Sequence, residues 1–201
     1  MYVTAEMIRD IERRFGIPVK IVREYEMTPE QLSIVRLGQK HGRCHDVTLV
    51  IVDGERNIVV IRKPSYPASA FRTPSGGIEP GESFDDGAKR EAKEETGLDI
   101  VLEKYLIRAN VRFRCGSEVI DWITHVLQAR PTGATLQPLD TKEIVEARKA
   151  TVAEITGPIR EALLASGSPG LRYRAELDGL VIELMNHEGT RANSGVGFLL
   201  P

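Results

Sequence analysis

Segments of helical and strand-like apolar spacing alternate along this chain, and that alternation predicts an α/β layered fold. Two further observations support it. Val47 to Val52 is a mostly apolar run of the kind a buried strand shows, and a glycine-rich turn at residues 76–81 feeds a highly charged helix. With 201 residues, 41% hydrophobic and 28% charged, the chain can bury one good core plus an appendage. It carries no internal repeat or low-complexity tract.

The elements follow in order. Ile8, Ile11 and Phe15 stand at helical spacing and predict a helix over about 4–15, closed by Gly16-Ile17-Pro18. Val19 to Glu26 alternates like a strand, and Thr28-Pro29-Glu30-Gln31 has the form of a helix start. After the 47–52 strand, Asp53-Gly54 predicts a hairpin turn, with Asn57 to Arg62 returning as the second strand. A loop containing Pro and Ser, Lys63 to Pro74, leads to the glycines. Strands are expected near 98–115 and 118–129, then a segment led by Glu143 and a helix near 152–165. Leu171 to Pro201 reads as a strand or short helix with a Gly/Asn/Ser-rich end. The expected division is an N-terminal extension, 1–45, a main domain, 46–165, and a C-terminal tail, 166–201, that packs on or extends it.

Chemistry concentrates between Gly76 and Leu98. Ser83 followed by Asp86 resembles a capping box, so a helix starts there, with Asp85 and Asp86 in the turn where the dipole favours negative charge. Phe84, Ala88 and Ala92 make an apolar stripe, and Gly97 suits the left-handed residue that ends a helix. Glu91, Glu94 and Glu95 fall at i, i+3 and i+4 on one face, where like charges repel by a few tenths of a kcal/mol per pair. A divalent cation reverses the sign of that interaction, and hard carboxylate oxygens suit Mg²⁺. Gly76, Gly77, Pro80 and Gly81 form a bent loop whose backbone can approach a ligand closely.

Composition excludes several function classes. A net charge of −2 gives no broad field for nucleic acid, though a local basic patch is compatible with it. The N-terminus lacks the basic-then-apolar pattern of a signal peptide, and no apolar run is long enough to span a bilayer, so a soluble cytoplasmic protein is expected. Cys44 and Cys115 are too few for a disulfide framework. His41, Cys44 and His45 cluster, but structural zinc needs four ligands, so a loop before a strand is the expectation there.

Arg108, Asn110, Arg112 and Arg114 share one face of a two-residue repeat, opposite Ile107, Ala109, Val111, Phe113 and Cys115. Guanidinium groups offer planar donors for phosphate, and equally form the solvated face of an antiparallel sheet; Arg62 carries the same two readings. Trp122 and His125 stand on opposite faces of the next strand. Trp122 is expected in the core or a substrate wall, and His125 as a buried structural histidine rather than a base.

Gly76, five residues, Glu82, seven residues, Arg90-Glu91-Ala92-Lys93-Glu94-Glu95-Thr96-Gly97-Leu98 resembles the Nudix box at every fixed position. Phe71 and Pro74 before it, and Glu143-Ile-Val-Glu146-Ala-Arg148 after it, extend the similarity to roughly 46–160. Ser75 replaces a common glycine, Ala92 is small for a usually aliphatic site, and Lys149 stands where an aromatic is common. The resemblance implies a mixed sheet between helices, with the box as loop-helix-loop; the N-terminal helix/strand extension read from residues 1–45 lies outside it.

It also implies Mg²⁺, with Mn²⁺ as the alternative ion. Glu94 and Glu95 would be principal ligands and Glu91 a further ligand or a group polarising water. Glu82 belongs beside the metal set, and Arg90 holds helix and loop in register. The general base is assigned to Glu143, with Glu146 and then Glu91 as successors. Gly76, Gly77, Arg62, Arg108, Arg112 and Arg114 form the expected substrate-binding set. The implied reaction is hydrolysis of the pyrophosphate in a nucleoside diphosphate linked to another moiety. A nucleoside triphosphate, an RNA 5′ end, or nucleotide sensing without turnover are the alternatives. Val101 to Glu118 lacks the proline of ADP-ribose hydrolases, and Tyr105 comes too early for dinucleoside polyphosphate enzymes. Residues 1–45 are a candidate dimerisation element, so a homodimer is expected alongside a small nucleotide substrate.

Overall fold

The computed structural model describes residues 2–39, 42–133 and 135–193. His41 and the residues after Asn193 therefore lie outside it. Helix α1 (Ala5–Phe15) is capped by Thr4, whose hydroxyl accepts the Met7 N–H, and buries Ile11. Strand β1 (Val19–Glu26) follows, then α2 (Pro29–Gly38), where Thr28 and Gln31 complete a reciprocal capping box.

The main sheet has five strands in the order β1-β5-β6-β2-β4. They are β1, β5 (Asp99–Cys115), β6 (Glu118–Gly133), β2 (His45–Ile51) and the short β4 (Ser75–Gly76). β1 runs parallel to β5 and β2 parallel to β6, while the β5–β6 and β2–β4 pairs are antiparallel. This is a mixed sheet. β3 (Ile58–Arg62) and β7 (Glu146–Ala150) form a separate two-stranded antiparallel sheet.

The chain does turn after Val52, with Asp53 Oδ1 accepting the N–H groups of Glu55 and Asn57, but the hairpin expected there divides between the two sheets. β2 already has β6 on one edge and β4 on the other, so β3 shares with it a single bridge, Val52 to Ile58. Tertiary competition for the strand edge outweighs the local turn signal.

Helices cover both faces of the main sheet. On one side α1 and α3 (Phe84–Thr96) enclose Ile11, Leu49, Phe84, Ala88, Ala92 and Leu127. On the other, α2, α5 (Arg160–Ala165) and α6 (Pro169–Asn193) enclose Leu32, Val111, Trp122, Leu163, Leu177 and Val181. The short α4 (Val152–Glu154) enters α5 through a turn at Ile155–Ile159 that contains Pro158. Bulges after Leu102 and Tyr105 switch the faces of β5, which puts Ile107 to Phe113 in the α6-side core and Arg108, Asn110, Arg112 and Arg114 opposite.

α6 corrects the strand or short helix expected from Leu171 onward: it runs for 25 residues. Its buried face mixes Leu171, Tyr173, Leu177 and Val181 with the buried polar Asp178, and half-buried Gly179 follows it, which breaks the apolar period. No helix among the described residues is long and apolar enough to cross a membrane.

Candidate active site on the acidic helix

Ser83 caps α3 by accepting the Asp86 N–H, and its own hydroxyl donates to Asp86 Oδ2. The capping box is thus half made, with the Asp86 carboxylate on the hydroxyl. Gly97 ends the helix at φ 76°, where a side chain is strained, and its N–H bonds Lys93 O.

The glycine loop is fastened to the helix through carboxylates. Glu91 Oε1 accepts the Gly77 N–H at 2.9 Å, and Glu95 Oε2 accepts the Ser75 N–H at 2.7 Å. A Cβ on Gly76 would fall 1.9 Å from the Glu91 carboxyl, and one on Gly77 1.5 Å from the Arg43 guanidinium. Neither position has room for a side chain unless these groups move.

Arg90 joins the acids on the open side. It donates to Glu82 at 2.9 and 3.1 Å, to Glu91 at 3.0 Å, to Glu94 at 3.1 Å and to Gly77 O at 2.7 Å. The Glu94 side chain is 46% exposed. Burial pushes the Glu82 carboxyl up, but Arg90 and the Glu79 N–H outweigh it and hold it below the usual range. Burial pushes Glu91 up against the pull of Arg90, and Glu95 and Glu94 add to the rise.

Glu95 turns inward and is 4% exposed. Burial pushes its carboxyl up, against the pull of Arg72 and Lys63. Arg72, also buried, approaches Glu95 at 3.4 Å and donates to Tyr66 Oη, Thr73 O and Ser75 Oγ. Ser75, the departure from the family's glycine, thus serves both partners. Beyond it the polar contacts continue into α6: Thr73 donates to Asp178, and Arg174 donates to Thr48 and Asp46. Asp46 also accepts from Trp122 and Thr124. Sequence reasoning did not single out Arg72, Arg174 or Asp178, because an isolated charge gives no sign of being buried.

The loop after β6 is tied to the same helix. Leu139 and Asp140 donate their N–H groups to Glu94 O, and Asp140 Oδ1 accepts from Lys142 and Glu143 N–H. Glu143 pairs with Lys63 at 2.8 Å, and Glu146 with Arg62 at 3.1 Å. Both acids and both bases therefore gather where β3 meets β7.

The other arginines are elsewhere. β5 lies three strands from β4, on the order of 14 Å at ordinary strand spacing. The structure therefore does not bring Arg108, Arg112 or Arg114 to the glycine loop. Arg112 pairs with Asp121 and Arg114 with Glu24, the arrangement of a solvated sheet face. Arg108 lies across the ladder from His125. His125 is buried with Nδ1 2.6 Å from Tyr105 Oη, and burial pushes it down to about 3, consistent with a structural role.

The NUDIX domain family matches residues 43–168, well over half of the chain and including the whole acidic helix and both of its loops. The chain belongs to the Nudix family. Among curated relatives, the NAD-capped RNA hydrolase NudC of Stutzerimonas stutzeri (strain A1501) is 31% identical over 68 residues, 34% of this chain. The chain spans only 25% of that protein's length. Among solved structures, a NUDIX hydrolase from Nitrosomonas europaea superposes with TM-score 0.48 at 23% identity, covering 68% of this chain and 87% of that one. A UDP-X diphosphatase gives 0.43 at 18%, covering 73% and 70%. Nudix hydrolases generally use a divalent metal.

Proposed function

We propose that this chain is a Mg²⁺-dependent pyrophosphohydrolase of nucleoside diphosphates linked to another moiety. The observation that carries the reading is the complete carboxylate set on α3, with two members tied to the glycine loop's backbone. Glu91, Glu94 and Glu95 would hold the ion, with Glu82 beside them. The donor set fits a hard cation, because Arg90 Nη1 already lies between Glu91 Oε1 and Glu94 Oε2 at 3.0 and 3.1 Å. Among the described residues no three acidic, His or Cys side chains converge on one point, since Glu95 is turned to Arg72 and Ser75. Loading the site therefore requires Glu95 to reorient or to act through its remaining lone pairs.

When bound, Mg²⁺ supplies charge neutralisation at the bridging phosphates and acidifies water. The chain's own groups do the rest. Arg90 fixes Glu82 and the loop carbonyl of Gly77. Arg43, whose guanidinium lies against Gly77, is a cation at the loop that suits substrate phosphate. A Glu143 carboxylate oxygen takes the proton of the attacking water as the bridging P–O bond breaks. The relative named for NAD-capped RNA supports the substrate class, because a dinucleotide cap also joins a nucleoside diphosphate to another moiety.

Turnover of nucleoside diphosphate sugars, dinucleotides, triphosphates and 5′-capped RNA with Mg²⁺ or Mn²⁺, with products identified, tests the proposal. A nucleoside monophosphate and a second phosphorylated product are expected from the first two. Binding without turnover of any of them would make the chain a sensor. Glu143→Gln should slow the chemical step by about 10²–10⁴-fold and be partly rescued at high pH, whereas Glu146→Gln should be nearly silent.

A further inference from the structure

β1 is an outer strand of the main sheet, with β5 on one edge and no strand among the described residues on the other. Open edges of this length are normally blunted or paired. The Met27 N–H reaches Arg114 O, and the β1–β5 register is unbroken from Val19 to Glu26. By alternation the odd-numbered residues bond β5, and Lys20, Val22 and Glu24 turn their peptide groups outward. Arg23 folds back to donate to the Val22 carbonyl at 2.9 Å, which marks that carbonyl as facing away from β5. Apolar side chains are exposed along the same edge: Val22 is 74% exposed, Ile17 74% and Val19 47%.

We propose that β1 pairs antiparallel with β1 of a second copy of this chain, about a twofold axis through Val22. Three features select this occupant and this register. Even-numbered residues must face even-numbered residues for their outward N–H and C=O groups to bond. On the even face, centring on Val22 then sets Val22 against its own copy and Lys20 against Glu24 twice, apolar to apolar and cation to anion, while the other face sets Ile21 against Arg23 and Val19 against Tyr25. Shifting the centre by one residue toward the C-terminus keeps a Lys20 to Glu26 pairing but sets Arg23 against Arg23 and Val22 against Glu24.

The third feature is a groove of about 400 Å³ between the C-terminal half of β1 and the start of α6, with Tyr25 and Pro169 in its lining and the charged Arg23, Glu24, Glu26, Arg172 and Glu176 around them. In the Val22-centred register Val19 of the copy lies opposite Tyr25, and Ile17 of the copy opposite Met27. The exposed apolar residues at one end of the strand thus meet the groove at the other end. Pairing joins the two five-stranded sheets into one continuous sheet, an isologous arrangement that closes both edges.

Sedimentation equilibrium of the full chain from 1 to about 100 μM tests this. A dimer is expected. Val22→Lys should raise the dimer Kd at least tenfold by placing two ammonium groups at the axis. Measured well below the dimer Kd, where both proteins are monomers, its Tm should stay near the wild-type value because Val22 is exposed. Lys20→Glu should weaken the dimer, and Lys20→Glu with Glu24→Lys should restore part of it, since the opposite charges are exchanged across the axis while Glu24 gives up its exposed pair with Arg114. A monomer at every concentration would overturn the proposal. So would a dimer indifferent to Val22→Lys, or a double exchange no tighter than Lys20→Glu alone.

Discussion

Two arginines hold the acidic helix in contrasting surroundings. Arg90 lies on the half-open side, where one guanidinium serves Glu82, Glu91, Glu94 and a loop carbonyl. Arg72 lies in the interior, with Glu95 as its one acidic partner and neutral oxygens on its remaining donors. On the open side, water reaches the guanidinium and Glu94, which softens the loss of Arg90 for that acid. In the interior nothing replaces Arg72, because a buried charge without a partner is expensive. The same helix therefore carries a functional face that tolerates loss and a structural anchor that does not.

Neutralising one acid in each setting separates the two roles most sharply. Glu94→Gln and Glu95→Gln should each lower kcat by on the order of 10² or more if both hold the ion. Only Glu95→Gln should also destabilise the fold, by about 3 kcal/mol, because Arg72 is left buried against a neutral amide. Steady-state kinetics with Mg²⁺ and urea midpoints measure both. Equal stability for the two variants would break the contrast.

The arginines themselves come next. Arg72→Met should cost about 3 kcal/mol in urea unfolding, from the Glu95 carboxylate it strands. Arg90→Ala should lower the midpoint by less than Arg72→Met does and lower kcat with little change in KM, since it positions Glu82 and the loop. A large rise in KM alone would instead put Arg90 on the substrate.

Burial acts on His125 in the reverse sense. Its folded value of about 3 lies below the ordinary 6.5, so the unfolded chain binds the proton first. Stability present above pH 6.5 is lost as pH falls through the window from 6.5 to 3. Asp178, pushed up to about 6 by burial, works against this loss because its folded form takes the proton first. Between pH 7.5 and 5 the His125 contribution is about 2 kcal/mol. His125→Gln should reduce the wild-type drop by that amount in urea titrations at the two pH values. Parallel drops would mean that His125 is charged in the folded protein.

The smallest effect should come from the basic face of β5. Arg112→Ala should change neither KM nor the urea midpoint measurably, because its partner Asp121 is also solvent-exposed. A raised KM would return that face to the substrate site.

What the sequence made legible was local. The α3 cap, its apolar stripe, its acid spacing and its terminal glycine are all encoded within a few residues, and each appears in the structure. The outward order of elements was legible for the same reason. The division of the 53–62 hairpin was not, because it depends on β6 and β4 occupying β2. Nor was the length of α6, whose buried Arg174 and Asp178 contacts read as polar interruptions until Asp46, Thr48 and Thr73 supply their partners. Arg72 belongs to that same class: one charged residue in a loop, made legible only by the carboxylate that folds onto it.

The Asp46–Arg174 pair has a consequence for how this chain can be recombined with its relatives. The family match ends at residue 168, one position before α6 begins, whereas the ion pair spans that point. A chimera joined there inherits Asp46 from one parent and whatever stands at position 174 from the other. Unless the incoming helix brings a cation in register, a carboxylate already sealed beneath Trp122 and Thr124 has lost its counter-charge. Exchange across that junction is therefore constrained to parents that share both halves of the pair, however alike their acidic helices are.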